Sequence, residues 1–161
     1  MSVLSPLSDA QIAGVSANQL ANLSTSEISL LNEREINALT SDQVAAFSKK
    51  QIKAFTPEQL SFFNANLQGF TNFQVNTLNN EQIQSLDLSQ LNSDQISAIK
   101  AKNISSLSES QIQSITLEAI KGLTTSQTSS TSMRESLPTM LCATLKHQQQ
   151  IQANHYFRWS T

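Results

Sequence analysis

Apolar residues occur in pairs three positions apart, and the pairs recur every eight residues along most of the chain. The first members run Ile12, Leu20, Ile28, Ile36, Val44, Ile52 and Leu60, and the second members Val15, Leu23, Leu31, Leu39, Phe47, Phe55 and Phe63. A seven-residue step leads to Leu67/Phe70, and the series resumes at Val75/Leu78 and Ile83/Leu86. After a five-residue irregularity near Leu88 and Leu91 it closes with Ile96/Ile99, Ile104/Leu107, Ile112/Ile115 and Ile120/Leu123. One long helix cannot carry this pattern. Eight residues advance it by about 800°, so each pair would lie roughly 80° round from the last and no face would be apolar. A strand fails because residues three apart point to opposite faces. The spacing therefore predicts a chain that turns once per octad.

The turn chemistry follows each second apolar residue. In Leu39-Thr40-Ser41-Asp42-Gln43-Val44, Thr40 is placed to cap a helix and accept from the backbone N–H three residues on, while Gln43 reaches back to the N–H of Thr40. Leu39 and Val44 are spaced as a hydrophobic staple that sets the entry angle of the chain. Caps are predicted at fifteen positions, 8, 16, 24, 32, 40, 48, 56, 64, 71, 79, 87, 92, 100, 108 and 116. Twelve have the full pattern; Asn64 has its apolar residue one position early, Lys100 is a poor cap, and Thr116 is followed by Ala119 where Gln is expected. Pro57 directly after Thr56 occupies the first helical position, where its missing N–H costs nothing.

An isolated octad cannot be stable. Ordering its backbone costs about 1 to 2 kcal/mol per residue, two buried apolar side chains return roughly 1.5 to 3 kcal/mol each, and a cap adds about 1 kcal/mol. Stability must come from stacked neighbours, with fraying expected at both ends. The expected fold is an all-α solenoid of short helices over residues 1–124. Two octads per superhelical turn would give a helical hairpin and three a triangular coil; the hairpin is favoured. Gln prevails over Glu at the third helical position, which fits stacking because carboxylates repeated at close spacing repel one another.

Phenylalanine fills the core position in four successive units, at Phe47, Phe55, Phe63 and Phe70, whereas Phe62 and Phe73 fall outside the pairs. Extra core around the shortened unit and Gly69 accounts for those two; the functional alternative is an aromatic anchor for a partner. Lys49, Lys50 and Lys53 form the only tight basic cluster, and a solvated helix face is its plainest explanation. These five residues, Phe62, Phe73, Lys49, Lys50 and Lys53, are the candidate partner contacts.

Composition bears on function chiefly by exclusion. A net charge of −2 lacks the basic stripe expected of a nucleic-acid binder. The array has no His and no Cys for a nucleophilic arrangement, and the chain has only Gly14, Gly69 and Gly122, too few for a phosphate loop. Paired carboxylates such as Glu33/Glu35 sit near a helix start, where they complement the dipole. No catalytic residue, cofactor, metal or small-molecule substrate is expected. The first residues show no secretory-signal pattern and no segment has the length to span a bilayer, which points to a cytoplasmic protein or a signal-peptide-independent export route.

Past Leu123 the pattern gives way to a Ser/Thr-rich stretch, residues 125–132, that reads as a linker. The tail, 133–161, holds the only Cys, Tyr and Trp and both His, in a spacing that fits no standard zinc motif, and carries at most one weak helix. Its abrupt change of composition suggests a frame-shifted end, which leaves open a delivery signal, an unrecognised activity or a nonfunctional fragment.

Phe55-Thr56-Pro57-Glu58-Gln59-Leu60 resembles the first helix of transcription-activator-like effector repeats, but the period near 34 residues and the base-reading loop of that family are absent. From Leu7 to Leu123, octads such as Leu39-Thr40-Ser41-Asp42-Gln43-Val44 and Leu107-Ser108-Glu109-Ser110-Gln111-Ile112 more closely resemble the short Leu-Thr-x-x-Gln-Ile-x-x-Leu repeats of large bacterial surface and secreted proteins and of candidate effectors of intracellular bacteria. That resemblance implies a spacer or protein-binding role, with a protein partner and no assigned activity. Asn64, Lys100 and Ala119 depart from it.

Overall fold

The computed structural model describes residues 2–128, and within them it is all-helical. Each octad makes one helix of four to six residues in most units, launched as the sequence predicts. In eleven units the cap side chain accepts from the third helical N–H while the third helical side chain accepts from the cap N–H. The corner before each of the helices α1 to α13 uses extended backbone and no left-handed residue. Phe55 (φ −65, ψ 131) and Thr56 (φ −71, ψ 159) are both extended, and no described residue has a positive φ. Ordinary side chains can therefore turn every corner, and so few glycines suffice.

The number of octads per circuit differs from the hairpin expected. Helices α1 (Asp9–Ala13), α2 (Ala17–Ala21) and α3 (Thr25–Ile28) make one circuit, and α4 (Glu33–Asn37), α5 (Ser41–Ala45) and α6 (Lys49–Ala54) the next, with α4 packed on α1, α5 on α2 and α6 on α3. The third circuit is α7 (Pro57–Ser61), a 3₁₀ segment (Phe62–Gly69) and α8 (Asn72–Thr77). The fourth is α9 (Asn80–Gln84), a 3₁₀ turn (Leu88–Gln90) and α10 (Ser93–Ala98). Helices α11 (Ala101–Ile104), α12 (Glu109–Ser114) and α13 (Leu117–Ile120) complete a fifth, and α14 (Thr125–Thr128) begins a sixth over α11. Three units per circuit form a three-sided coil. A two-sided hairpin would leave one apolar residue of each pair at an edge; here both members of pairs such as Ile36/Leu39, Val44/Phe47 and Ile52/Phe55 are buried in one cluster.

The amide at the third helical position locks one circuit to the one below it. Gln51 Oε1 accepts from the N–H of Ser48 (2.8 Å), while its Nε2 donates to the carbonyls of Leu20 (2.8 Å), Ala21 (3.2 Å) and Leu23 (2.9 Å). The same pattern joins Gln43 to Ile12 and Val15, Gln59 to Ile28 and Leu31, Gln74 to Val44 and Phe47, Gln82 to Ile52 and Phe55, and Gln95 to Leu67 and Phe70. In each case the amide of one unit serves the two apolar residues of the unit four places back. Short helices leave most of their carbonyls without an intrahelical partner, and burying them unpaired is costly. The prevalence of Gln thus has a more direct cause than relief of carboxylate repulsion: a carboxylate has no proton to give to those carbonyls.

Departures from the rule are informative. Glu27 stands in the lowest circuit, where there is no stacked helix beneath, and its carboxyl is held below the usual range by the Ser24 N–H and hydroxyl. Glu35 lies one circuit up and is fully buried. Its Oε2 closes the box with Asn32 (2.9 Å), its Oε1 has no partner, and Arg34 Nη1 reaches Leu7 O (3.1 Å) from the neighbouring position. In the shortened third circuit Asn66 supplies the amide, donating to Leu39 O at 2.7 Å. Asp87 does not form the expected box; it accepts from Ser89 N (3.1 Å), because the next cap, Asn92, comes only five residues later and leaves room for a 3₁₀ turn alone.

The repeat also extends past its predicted end. Thr124 and Gln127 form a further box, and Gln127 donates to the carbonyls of Ile96 and Ile99, so Thr125–Thr128 is helix rather than linker. The apolar partner is replaced by Thr128, which is why hydrophobic spacing alone misses this unit. The remaining linker residues, 129–132, and the tail, 133–161, lie outside the described residues.

Phe47, Phe55, Phe63 and Phe70 run through the core as a continuous edge-to-face series, with centroids 5.4, 5.1 and 5.1 Å apart. That geometry suits the aromatic quadrupoles and adds to the area they bury. Gly69 and Gly122 sit where circuits touch. A Cβ at Gly69 would lie 2.8 Å from Ser41 Cα, and one at Gly122 would lie 2.0 Å from Ser93 O.

Candidate binding groove

The coil brings together two lysine pairs that are half a hundred residues apart in sequence. Lys49 and Lys53 are four apart on α6 and so share a face of that helix. Lys100 and Lys102 occupy the cap and second helical positions of α11. Helix α8 packs on α6, and the corner from α8 to α9, Thr77-Leu78-Asn79-Asn80, runs between the two pairs. Together they line a groove of about 540 Å³ that also takes in Phe73, Asn76 and Asn103. A recess of this size is in the range that receives a small ligand or a few side chains.

Its lining is electrically one-sided. Of the seven basic residues in 1–124, Arg34 is paired with Asp9 at 2.6 Å and Lys121 with Glu118 at 2.7 Å. Four of the other five line this groove, no carboxylate does, and among the described residues none of the four lysines forms an ion pair. Phe73 is 63 % exposed, the most exposed large apolar side chain among the described residues.

The wall contributed by α11 is a unit without a side-chain cap. Lys100 offers no side-chain cap, and Asn103 stands where most units have Gln. Being one methylene shorter, Asn103 performs only half of the amide's task. Its Nδ2 reaches Leu78 O (3.2 Å), and its buried Oδ1 has no donor. Across the groove Asn76 Nδ2 donates to Ala98 O (3.0 Å), and the Ser106 hydroxyl hydrogen-bonds Asn80 Oδ1, so the walls are tied to the circuit above.

Of the residues singled out from sequence, Lys49, Lys53 and Phe73 meet in this groove. Lys50 is exposed on the same helix but outside the lining, and Phe62 is half-buried and packed against the core, as extra core would be. Lys100, Lys102, Asn76 and Asn103 join the lining without being predicted as contacts from the sequence. The one signal for them is the failed cap at Lys100, which reads as a defect until α11, in the fifth circuit, is placed above α6, in the second.

Among the described residues there is no cluster of three or more potential metal ligands, and no helix is long and apolar enough to cross a membrane. No family model, curated protein or solved structure matches the chain.

Proposed function

We propose that the chain is a non-enzymatic helical-repeat scaffold that holds a protein partner, with no cofactor and no small-molecule substrate. The observation that carries this is the groove: four unpaired lysines and an exposed phenylalanine gathered on one side of a coil whose other polar groups are largely spent on its own caps and carbonyls. Large exposed apolar side chains beside unpaired charge are the ordinary constituents of a protein contact. A spacer or binding role is also what the resemblance of the octads to bacterial surface-protein and effector repeats implies. The array itself supplies no His or Cys for nucleophilic or acid–base work.

The test is retention of a partner by the full chain carrying Asp42→Asn, Glu58→Gln and Glu81→Gln, all exposed near helix starts. Scaffolding predicts unchanged retention. Turnover of any substrate that one of these changes abolishes would overturn it.

A further inference from the structure

We propose that the groove between α6 and α11 docks an extended, acidic segment of a protein partner, whose carboxylates meet Lys49, Lys53, Lys100 and Lys102 and whose apolar side chain covers Phe73. This rests on the scaffold assignment and names the chemistry of the partner. Charge complementarity is the first ground. The array as a whole has more acidic than basic residues, eleven against seven, yet the groove holds four amines and no carboxylate. Such a local reversal of sign selects and steers an acidic ligand while the rest of the surface repels it.

The apolar and hydrogen-bonding parts of the lining favour a peptide over other polyanions. Phe73 stands exposed among the amines, so a ligand carrying both carboxylates and an aliphatic or aromatic side chain gains from each. The exposed amides of Asn76 and Asn80 on the same lining can hydrogen-bond a peptide backbone, whereas a membrane surface presents phosphates. A nucleic acid needs cations spread along its phosphates; these amines are confined to one recess.

Fluorescence anisotropy on the full chain tests the proposal, with a labelled peptide of alternating Glu and Leu, the same peptide with Gln for Glu, a single-stranded oligonucleotide, and phosphatidylserine vesicles as probes. The acidic peptide should bind, and the Gln peptide should bind on the order of tenfold more weakly or worse. The quadruple variant Lys49→Gln/Lys53→Gln/Lys100→Gln/Lys102→Gln should lose a comparable factor, Phe73→Ser several-fold, and Lys121→Gln nothing. All six altered positions are exposed, so circular dichroism should be unchanged. Equal binding of the acidic peptide by the quadruple variant, or preference for the oligonucleotide or vesicles, overturns the proposal. Should no acidic peptide bind while a photo-crosslinking residue at position 76 still traps a protein, the acidic chemistry is wrong and the scaffold assignment survives. Substrate turnover would sink the scaffold assignment instead.

Discussion

Replacing Gln51 by Glu keeps the shape of the side chain, exchanges its amide donor for an acceptor oxygen and adds a negative charge. The capping box should survive, since Glu27 and Glu35 close theirs with one carboxylate oxygen. What is lost lies beneath: the carbonyls of Leu20, Ala21 and Leu23, all within 3.2 Å of Gln51 Nε2, would face a carboxylate oxygen in place of a donor. Gln51 is only 2 % exposed, so water cannot take over. An uncompensated buried charge of this kind costs about 3 to 5 kcal/mol, a large share of the 5 to 15 kcal/mol typical of a folded domain. Urea unfolding followed by circular dichroism at pH 7 measures it directly. The sign with pH is also fixed. Facing carbonyls and desolvated, the new carboxyl has its folded pKa raised above its unfolded value near 4.3. The deficit should therefore shrink as pH falls through the raised value, when the neutral acid can donate one hydrogen bond, and be full well above it. Gln19→Glu is the internal reference. It makes the same change in a box of the lowest circuit, where the side chain is exposed, and should cost no more than about 0.5 kcal/mol. Equal destabilisation by the two substitutions, with no difference in pH dependence, would refute the interlocking role of the amide.

Glu35→Gln should stabilise the protein by about 1 to 3 kcal/mol, because it supplies protons where a buried oxygen now lacks a partner; the urea midpoint should rise with an unchanged slope. Gly122→Ala should lower the thermal midpoint clearly, since its Cβ would collide with the Ser93 backbone, while Gly14→Ala, whose nearest neighbour is 3.4 Å away, should be neutral or slightly stabilising. The carboxyl of Glu27, lowered first by the Ser24 backbone N–H and then by its hydroxyl, contributes stability above the usual carboxylate range and loses it as pH falls through the lowered value; a side-chain NMR titration should show its midpoint below that of a free Glu, and Ser24→Ala, which removes the hydroxyl but keeps the N–H, should move it only part of the way back.

The existence, length and starting points of the helices were legible because each octad repeats its own start signal, Thr40 with Gln43 and Leu39 with Val44 being one copy among many. Three departures in the caps had local causes: Asn64 falls inside the 3₁₀ segment Phe62–Gly69 of the shortened circuit, Asp87 lacked room before Asn92, and the unit at Thr124 was hidden by the missing apolar residue at 128. The number of octads per circuit was not legible, since capping fixes where a helix begins but not how far the chain swings between helices. That angle is settled by which carbonyls each Gln amide reaches, 31 and 28 residues back for Gln43, and such pairings become visible only in three dimensions. The groove was half legible for the same reason. Lys49 and Lys53 announced themselves by adjacency and Phe73 by falling out of register, but Lys100 and Lys102 join them only through the winding of the coil.

Winding in threes subjects this chain to arithmetic modulo three. Removing a single octad between Ala54 and Lys100 would leave every remaining unit well formed yet swing all downstream residues round by a third of a revolution, carrying Lys100 and Lys102 away from Lys49 and Lys53. Removing three would restore their azimuth but lower them by one storey toward α6. Insertions and deletions in such a chain are thus of two kinds with the same local cost: those that preserve the azimuthal order of its surface, and those that scramble it.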